Sequence, residues 1–301
     1  MKRLKELRLA RNYSQAQLAE MLKTTQQTIA RWETGKSEPN IAALRDLAFI
    51  FGTSVDDLLG KNPLSDKVTT ADYFLLFKDK GGQDGYWGNL GALLPGQDKT
   101  RWYPITLGSA NAISHSLANL EVTQWLCVKT LNNRMLALNP TKLRRIWFLD
   151  EACDPPDDDW EVDWDSIEGN PLELYRALYD YFNDPDFKAN SSDAFVATVE
   201  DVIKEHDLDE EKVFKLTKHT FVYMADGKVA SYWAEGNHLW DFIVSIENED
   251  VPLMISLADA AGDFESYYPN NGIAMIDMAL MEVMEAAKED LTDIEQEGGD
   301  E

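Results

Sequence analysis

Residues 22–36 read Leu-Lys-Thr-Thr-Gln-Gln-Thr-Ile-Ala-Arg-Trp-Glu-Thr-Gly-Lys. Two adjacent glutamines open the segment that follows Thr25. A glutamine amide presents a donor and an acceptor side by side, which matches the N6 and N7 edge of adenine in the major groove. Ile29 and Trp32, three apart, give that segment an inward apolar face. The spacing therefore predicts a turn at 23–24 and then a helix whose opening residues are polar and outward.

Other residue types with chemical potential do not assemble into a site. His219, His238, Glu235 and Asp241 are candidate metal ligands, but they lack the tight His-x-His or His-x3-His spacing, so they read as ordinary surface or core residues. Ser114-His115 lacks a G-x-S-x-G context. Neither G-x-x-x-x-G-K-[ST] nor G-x-G-x-x-G occurs, and no Ser-Lys dyad stands out. Cys127 and Cys153 are too few for a disulfide framework or a four-thiolate zinc site. Between Asp154 and Asp165, Asp157, Asp159, Glu161, Asp163 and Asp165 would share one face of an extended chain, with Trp160, Val162 and Trp164 on the other. An EF-hand loop counted from Asp157 puts Val162 where glycine is needed, which argues against calcium. A solvated linker packing its tryptophans on a neighbour is the simpler reading, and an acidic face competing with DNA is the functional one. The sequence predicts no catalytic residues, no metal, no cofactor and no enzyme activity.

The chain has 301 residues with 44% hydrophobic and 11% aromatic content, enough for sizeable cores in two or three domains. Charge is unevenly distributed. Residues 1–61 hold 10 Lys/Arg and 7 Asp/Glu, a net of +3. Of the totals of 28 and 54, this leaves 18 basic and 47 acidic residues beyond, a net of −29. A polyanion is attracted to the first segment and repelled by the rest. Arg144-Arg145 is the one adjacent basic pair after Lys2-Arg3, so RNA binding by the later region is not expected. Neither an apolar run of membrane-spanning length nor an N-terminal signal pattern is seen, and the expectation is a cytoplasmic protein with no membrane contact.

Helical spacing organises the first sixty residues. Leu4, Leu7 and Ala10 fit a helix over 2–11. Ser14 caps a second at 15–22, with Leu18, Ala19 and Leu22 inward. Thr25 caps the third, and Gly35 suits the left-handed conformation that ends it. Pro39 and Asn40 introduce a fourth at 41–51, and Ser54 a short fifth at 55–59.

These features together resemble the DNA-binding domain of the phage repressor and Cro family, often called XRE. The resemblance rests on Ser14 to Glu20, Thr25 to Ile29, Trp32 to Lys36, Pro39 and Ser54 to Leu59, and covers residues 2–60. It implies that Gln26, Gln27, Thr28 and Arg31 contact bases. It implies that Gln15, Thr25 and Lys36 contact phosphates, and that Arg8 and Glu33 form a structural ion pair. Lys23 departs from the pattern, standing where many members have glycine.

Past a polar linker at 62–70 the pattern changes to short strands: 73–77, 102–107, a hairpin of 122–131 and 134–138 turning on Asn132-Asn133, and 144–149 after a corner at Asn139-Pro140. This order suits a small Sm- or SH3-like barrel over 71–153. An acidic linker spans 154–170. An α+β domain at 171–287 is expected to hold helices from Pro171 and after Ser192. Its strands are expected at 213–216, 219–224, 229–233, 242–246 and 251–257. A last helix carries Ile276, Leu280, Val283, Met284 and Ala287 on one face, and Met275, Met278, Met281 and Met284 make an adaptable apolar surface. A disordered acidic tail is expected at 288–301. A weak echo joins 137–150 to 267–277: strand, Pro corner, apolar strand, Asp. Chance resemblance of two strand-turn-strand units is the simpler account of it.

The resulting fold class is multidomain: an all-α five-helix helix-turn-helix domain, then an α+β body with small antiparallel barrel-like sheets. The function expected is a sequence-specific DNA-binding repressor. It contacts double-stranded DNA through residues 1–61 as a homodimer, with an acidic body for oligomerisation, sensing or partner binding. The alternative is an antitoxin or partner-binding module whose DNA domain serves autoregulation.

Overall fold

The computed structural model describes residues 1–51, 53, 55–59, 86–119, 125–154, 160–161 and 172–297. The expected linker at 62–70, the run 73–77 and most of the acidic segment lie outside them. The described residues divide into two compact units, one drawn from 1–59 and 172–213, the other from 86–161 and 214–297. Residues 171–287 are thus divided between the units, with the division inside one helix, where the sequence reading took them as one domain.

In the first unit, α1 (Lys2–Ala10), α2 (Gln15–Met21), α3 (Gln26–Glu33), α4 (Ile41–Phe51) and α5 (Val55–Leu59) pack around Leu4, Leu18, Ile29, Leu47, Phe51 and Leu58. Ser14 opens α2 with a full capping box: its hydroxyl accepts from Gln17 N, and Gln17 Oε1 accepts from Ser14 N. Two later helices belong to this unit, α7 (Leu172–Asn183) and α8 (Asp193–Glu205), the second capped by Ser192. They meet α4 through Arg45, which donates to Asp180 Oδ2 at 2.5 Å and to Ser191 Oγ at 3.2 Å. Its guanidinium also lies over the Phe187 ring. Asp46 accepts from the Ser192 hydroxyl, and Phe49 packs on Phe195.

The second unit runs β1 (Tyr86–Leu93), β2 (Thr100–Thr106), α6 (Leu107–Ala118), β3 (Leu126–Lys129), β4 (Arg134–Leu138), β5 (Arg145–Asp150) and β6 (Trp160–Glu161). After α9 (Glu210–Lys218), which carries the division, come β7 (Thr220–Met224), β8 (Val229–Tyr232), α10 (Gly236–Glu247), β9 (Met254–Ala258), β10 (Glu265–Pro269), β11 (Ile273–Ala279) and α11 (Leu280–Glu297). Three sheets result, in orders β5-β1-β2-β6, β3-β4-β11-β7-β8 and β10-β9. All pairings are antiparallel except β2 with β6. A shared core of Leu90, Tyr103, Ile105, Ile113, Leu136 and Met275 links the two larger sheets and α6.

Several expectations change. The described strands do not close into an Sm- or SH3-like barrel: β3 and β4 join the C-terminal sheet, while β5 pairs with β1. Residues 213–216 and 242–246 are helical. Short windows there show apolar clusters, but Glu210 and Glu211 at one end of α9 and Lys215 and Lys218 at the other suit a helix dipole. In α10, Leu239, Phe242, Ile243 and Ile246 fall at helical spacing and are buried. Two elements were unforeseen. Glycines obscure β1, yet Gly91 stands opposite Trp102, and a Cβ there would lie 2.7 Å from the indole. The helix α6 is capped by Thr106, whose hydroxyl accepts from Ser109 N. Met275 and Met278 lie in β11, not in the last helix, and are fully buried with Met281. That helix begins at Leu280 and continues past Lys288 to Glu297, where a disordered tail was expected. Among the described residues no helix is long and apolar enough to cross a membrane.

The order of elements in the second unit repeats: β1-β2-α6-β3-β4-β5 and β7-β8-α10-β9-β10-β11. So do the pairings, β1·β2 with β7·β8, β1·β5 with β7·β11, and β3·β4 with β9·β10. The corner between β4 and β5 corresponds to that between β10 and β11, which is the echo visible in the sequence.

Candidate nucleic-acid interface

The segment that opens on Gln26 and Gln27 is held from beneath. Ile29 and Trp32 are buried and fix α3 on the helical core. Thr25 caps its start: the hydroxyl accepts from Thr28 N at 3.2 Å and also bonds the Thr28 hydroxyl. The other end closes on Gly35, whose φ of +72° lets Lys36 N reach the Arg31 carbonyl. The preceding turn places Lys23 at φ +50°. The non-glycine residue is accommodated there, in a region where a Cβ is disfavoured.

Arg8 and Glu33 make a two-pronged ion pair beneath α3, Nε to Oε1 at 2.5 Å and Nη2 to Oε2 at 3.2 Å, both side chains buried. Arg8 also donates to the Tyr13 carbonyl. Burial alone pushes Glu33 upward. Hydrogen bonds from Arg8 and Gln15, with the charges of Arg8 and Lys5, outweigh it and leave the carboxyl below its ordinary value.

This pair is joined to the surface. Gln15 Nε2 donates to Glu33 Oε2 at 2.8 Å, and Gln15 Oε1 accepts from Gln26 Nε2 at 3.5 Å. A continuous polar chain therefore runs Arg8, Glu33, Gln15, Gln26. Sequence reading gave Gln15 a phosphate contact and did not see this second bond. Its signal, a glutamine one residue past an N-cap and 18 residues before Glu33, is weak.

Gln26, Gln27, Arg31, Thr25 and Lys36 are exposed, and Gln15 and Thr28 are half-buried. The structure thus gathers the residues expected to contact bases on the outer side of one short helix. Chemically this is a row of amide, hydroxyl and guanidinium groups offered by a rigid scaffold to a hydrogen-bonding edge.

The other candidates stay dispersed. His238 Nε2 lies 3.8 Å from Glu235, while His219 Nδ1 bonds the Ser231 hydroxyl. Among the described residues no group of three or more His, Cys, Asp or Glu side chains is placed to hold a metal ion.

Residues 4–58 match the helix-turn-helix family model, of the XRE type. Three curated relatives match over the same region. The HTH-type transcriptional activator BcrR of Enterococcus faecalis is 37% identical over 62 residues, 21% of this chain and 30% of that protein. The prophage-derived HTH-type transcriptional regulator YonR of Bacillus subtilis is 42% identical over 57 residues, 19% and 53% of the two chains. The HTH-type transcriptional regulator AnsR of the same organism is 41% identical over 59 residues, 20% and 51%. The match thus spans about half or less of each relative. No solved structure matches the chain.

Proposed function

We propose that this protein is a sequence-specific DNA-binding transcription regulator that reads operator DNA through α3 and acts as a repressor. The observation that carries the reading is the exposed pair Gln26 and Gln27 on a helix capped, closed and tied down as described. Gln27 and Gln26 read base edges, with Thr28 and Arg31 adding contacts. Gln15, Thr25 and Lys36 meet phosphates. Repression needs only occupancy of a promoter, which a reader of this kind supplies. Activation needs a polymerase contact besides, and the relative named an activator is similar over the reader alone.

One helix-turn-helix contacts few phosphates and few bases, so tight binding calls for two copies on half-sites about one helical turn apart. The remainder of the chain serves that assembly and carries any sensing or partner contact. A binding selection from random oligonucleotides, with the full-length chain, tests the reading. The expected result is a motif of two half-sites containing adenine contacts. Gln27→Ala should keep the melting temperature and reduce base discrimination by about 1–3 kcal/mol at one position per half-site. No enriched motif, or a motif unchanged in the variant, refutes it.

A further inference from the structure

The two halves of the second unit differ at one junction. In one, β4 lies antiparallel against β11, joining Leu136 to Asp277 at the centre of five residue pairs. The same step in the other half would lay β10 against β5. There, among the described residues, β5 ends one sheet and β10 ends another. Burial follows the difference. Every residue of β4 and β11 is buried, whereas β5 is exposed at its ends and half-buried between them. β10 alternates exposed and half-buried, with Tyr267 59% exposed, and next to its hairpin Leu253 is 82% exposed.

The halves repeat each other in element order and pairing, and one contact joins their equivalent turns. Gly96 in the β1–β2 turn and Gly227 in the β7–β8 turn face each other, with φ +74° and +87°. A Cβ on either would lie 3.1–3.2 Å from the other's Cα. Equivalent residues in mutual contact are the signature of two-fold packing.

We propose that a second copy of this chain completes the open junction: β10 of one protomer pairs antiparallel with β5 of its partner, and by two-fold symmetry the reverse. The register follows from the junction already made. Leu93 and Met224 each precede a tight turn and pair with Arg145 and Ile273, so with the one-residue irregularity after Ile273, Phe148 corresponds to Asp277. β4 and β10 lead into corresponding proline corners, at Pro140 and Pro269, so Leu138 corresponds to Tyr267. Met275, the partner of Leu138, corresponds to Ile146, so Tyr267 then stands opposite Ile146 and Ser266 opposite Trp147. An aromatic–β-branched cross-strand pair of this kind stabilises a ladder, and pairing covers two edges that are open among the described residues and that otherwise invite aggregation. From the preceding reading this takes only the need for two copies.

Disulfide trapping in the full-length chain without DNA is the test, in a Cys153→Ser background because that thiol is exposed. Ile146→Cys and Tyr267→Cys are made separately, tagged by mass and mixed before oxidation. Linked pairs carrying one chain of each kind should form at least tenfold more readily than pairs of like chains. As Tyr267 is already exposed, Tyr267→Asp should keep the thermal transition while moving the sedimenting species from two copies to one. Linkage found only within a chain bearing both cysteines would mean the hairpin closes its own sheet, and overturns the proposal. So would an absence of linkage, or a Tyr267→Asp protein that still sediments as two copies. A chain that pairs through these strands yet enriches no DNA motif would refute the DNA-binding reading alone.

Discussion

Each unit contains a buried arginine–carboxylate pair, and the two pairs are used differently. Arg8 and Glu33 are 25 residues apart, and the carboxylate's remaining bond leads outward through Gln15 to Gln26. Arg134 and Asp277 are 143 residues apart, with Nε to Oδ1 at 2.5 Å, and everything around them leads inward. Tyr103 donates to Asp277 Oδ2, while Arg134 Nη2 donates to the carbonyls of Asp277 and His219. Burial and the Asp277 charge raise the Tyr103 hydroxyl well above its ordinary value, which keeps it a donor. The first pair orients a surface; the second joins β2, β4 and β11 across the two halves of its unit. The same chemistry supports an exposed helix face where its bonds lead to Gln26, and joins strands where its bonds stay among β2, β4 and β11.

The largest expected effect lies with the inward pair. Asp277→Ala leaves Arg134 buried without its carboxylate and Tyr103 without its acceptor. Removing one member of a buried pair costs about 3–5 kcal/mol. Urea unfolding of the full chain should show that loss, and a change below about 1 kcal/mol would mean the pair is not what ties the halves together.

Next comes Arg45, which joins α4 to α7 and α8 within the first unit. It is more exposed than Arg134, as is its partner Asp180, so the expected loss for Arg45→Ala is smaller, about 2–4 kcal/mol. The transition of the first unit should fall while Gln26 and Gln27 keep their base preference in any DNA still bound. A loss of stability confined to the second unit would contradict the placement of α7 and α8.

These two arginines show what the sequence made legible. The five N-terminal helices could be read because caps, apolar spacing and Gly35 are all local signals, set within a few residues of what they control. Arg8 and Glu33 came with the family pattern. Arg45 was unreadable as a hub because its partners Asp180 and Ser191 lie 135 and 146 residues away, past a stretch of another unit. The body failed for related reasons. Strand order is a long-range property, so β4 beside β11 has no signature near either strand. Helical α9 and α10 looked like strands in five-residue windows and like helices only over nine or more. The echo between 137–150 and 267–277 was seen, but its meaning needed the pairings around it.

The smallest effect sharpens the comparison most, because it asks whether the outward pair is electrostatically active. Glu33 has a folded pKa lowered from 4.5 despite burial, through Arg8 first and then Gln15. A lowered carboxyl adds stability that is fully present above its unfolded value and is lost as pH falls through its folded value. Glu33→Gln keeps one acceptor and removes the charge. It should cost about 1–3 kcal/mol near neutrality, the range for hydrogen bonds to a charged group. The gap from the parent should then narrow as pH falls below the ordinary carboxyl value, where the unfolded chain takes up the proton first, and close as pH falls through the lower value of the folded Glu33. Urea unfolding at a series of pH values reads this directly. A gap independent of pH would assign the effect to shape alone. A gap that closes, together with weaker base preference at the Gln26 position only, would tie the buried charge to the orientation of the reading amide.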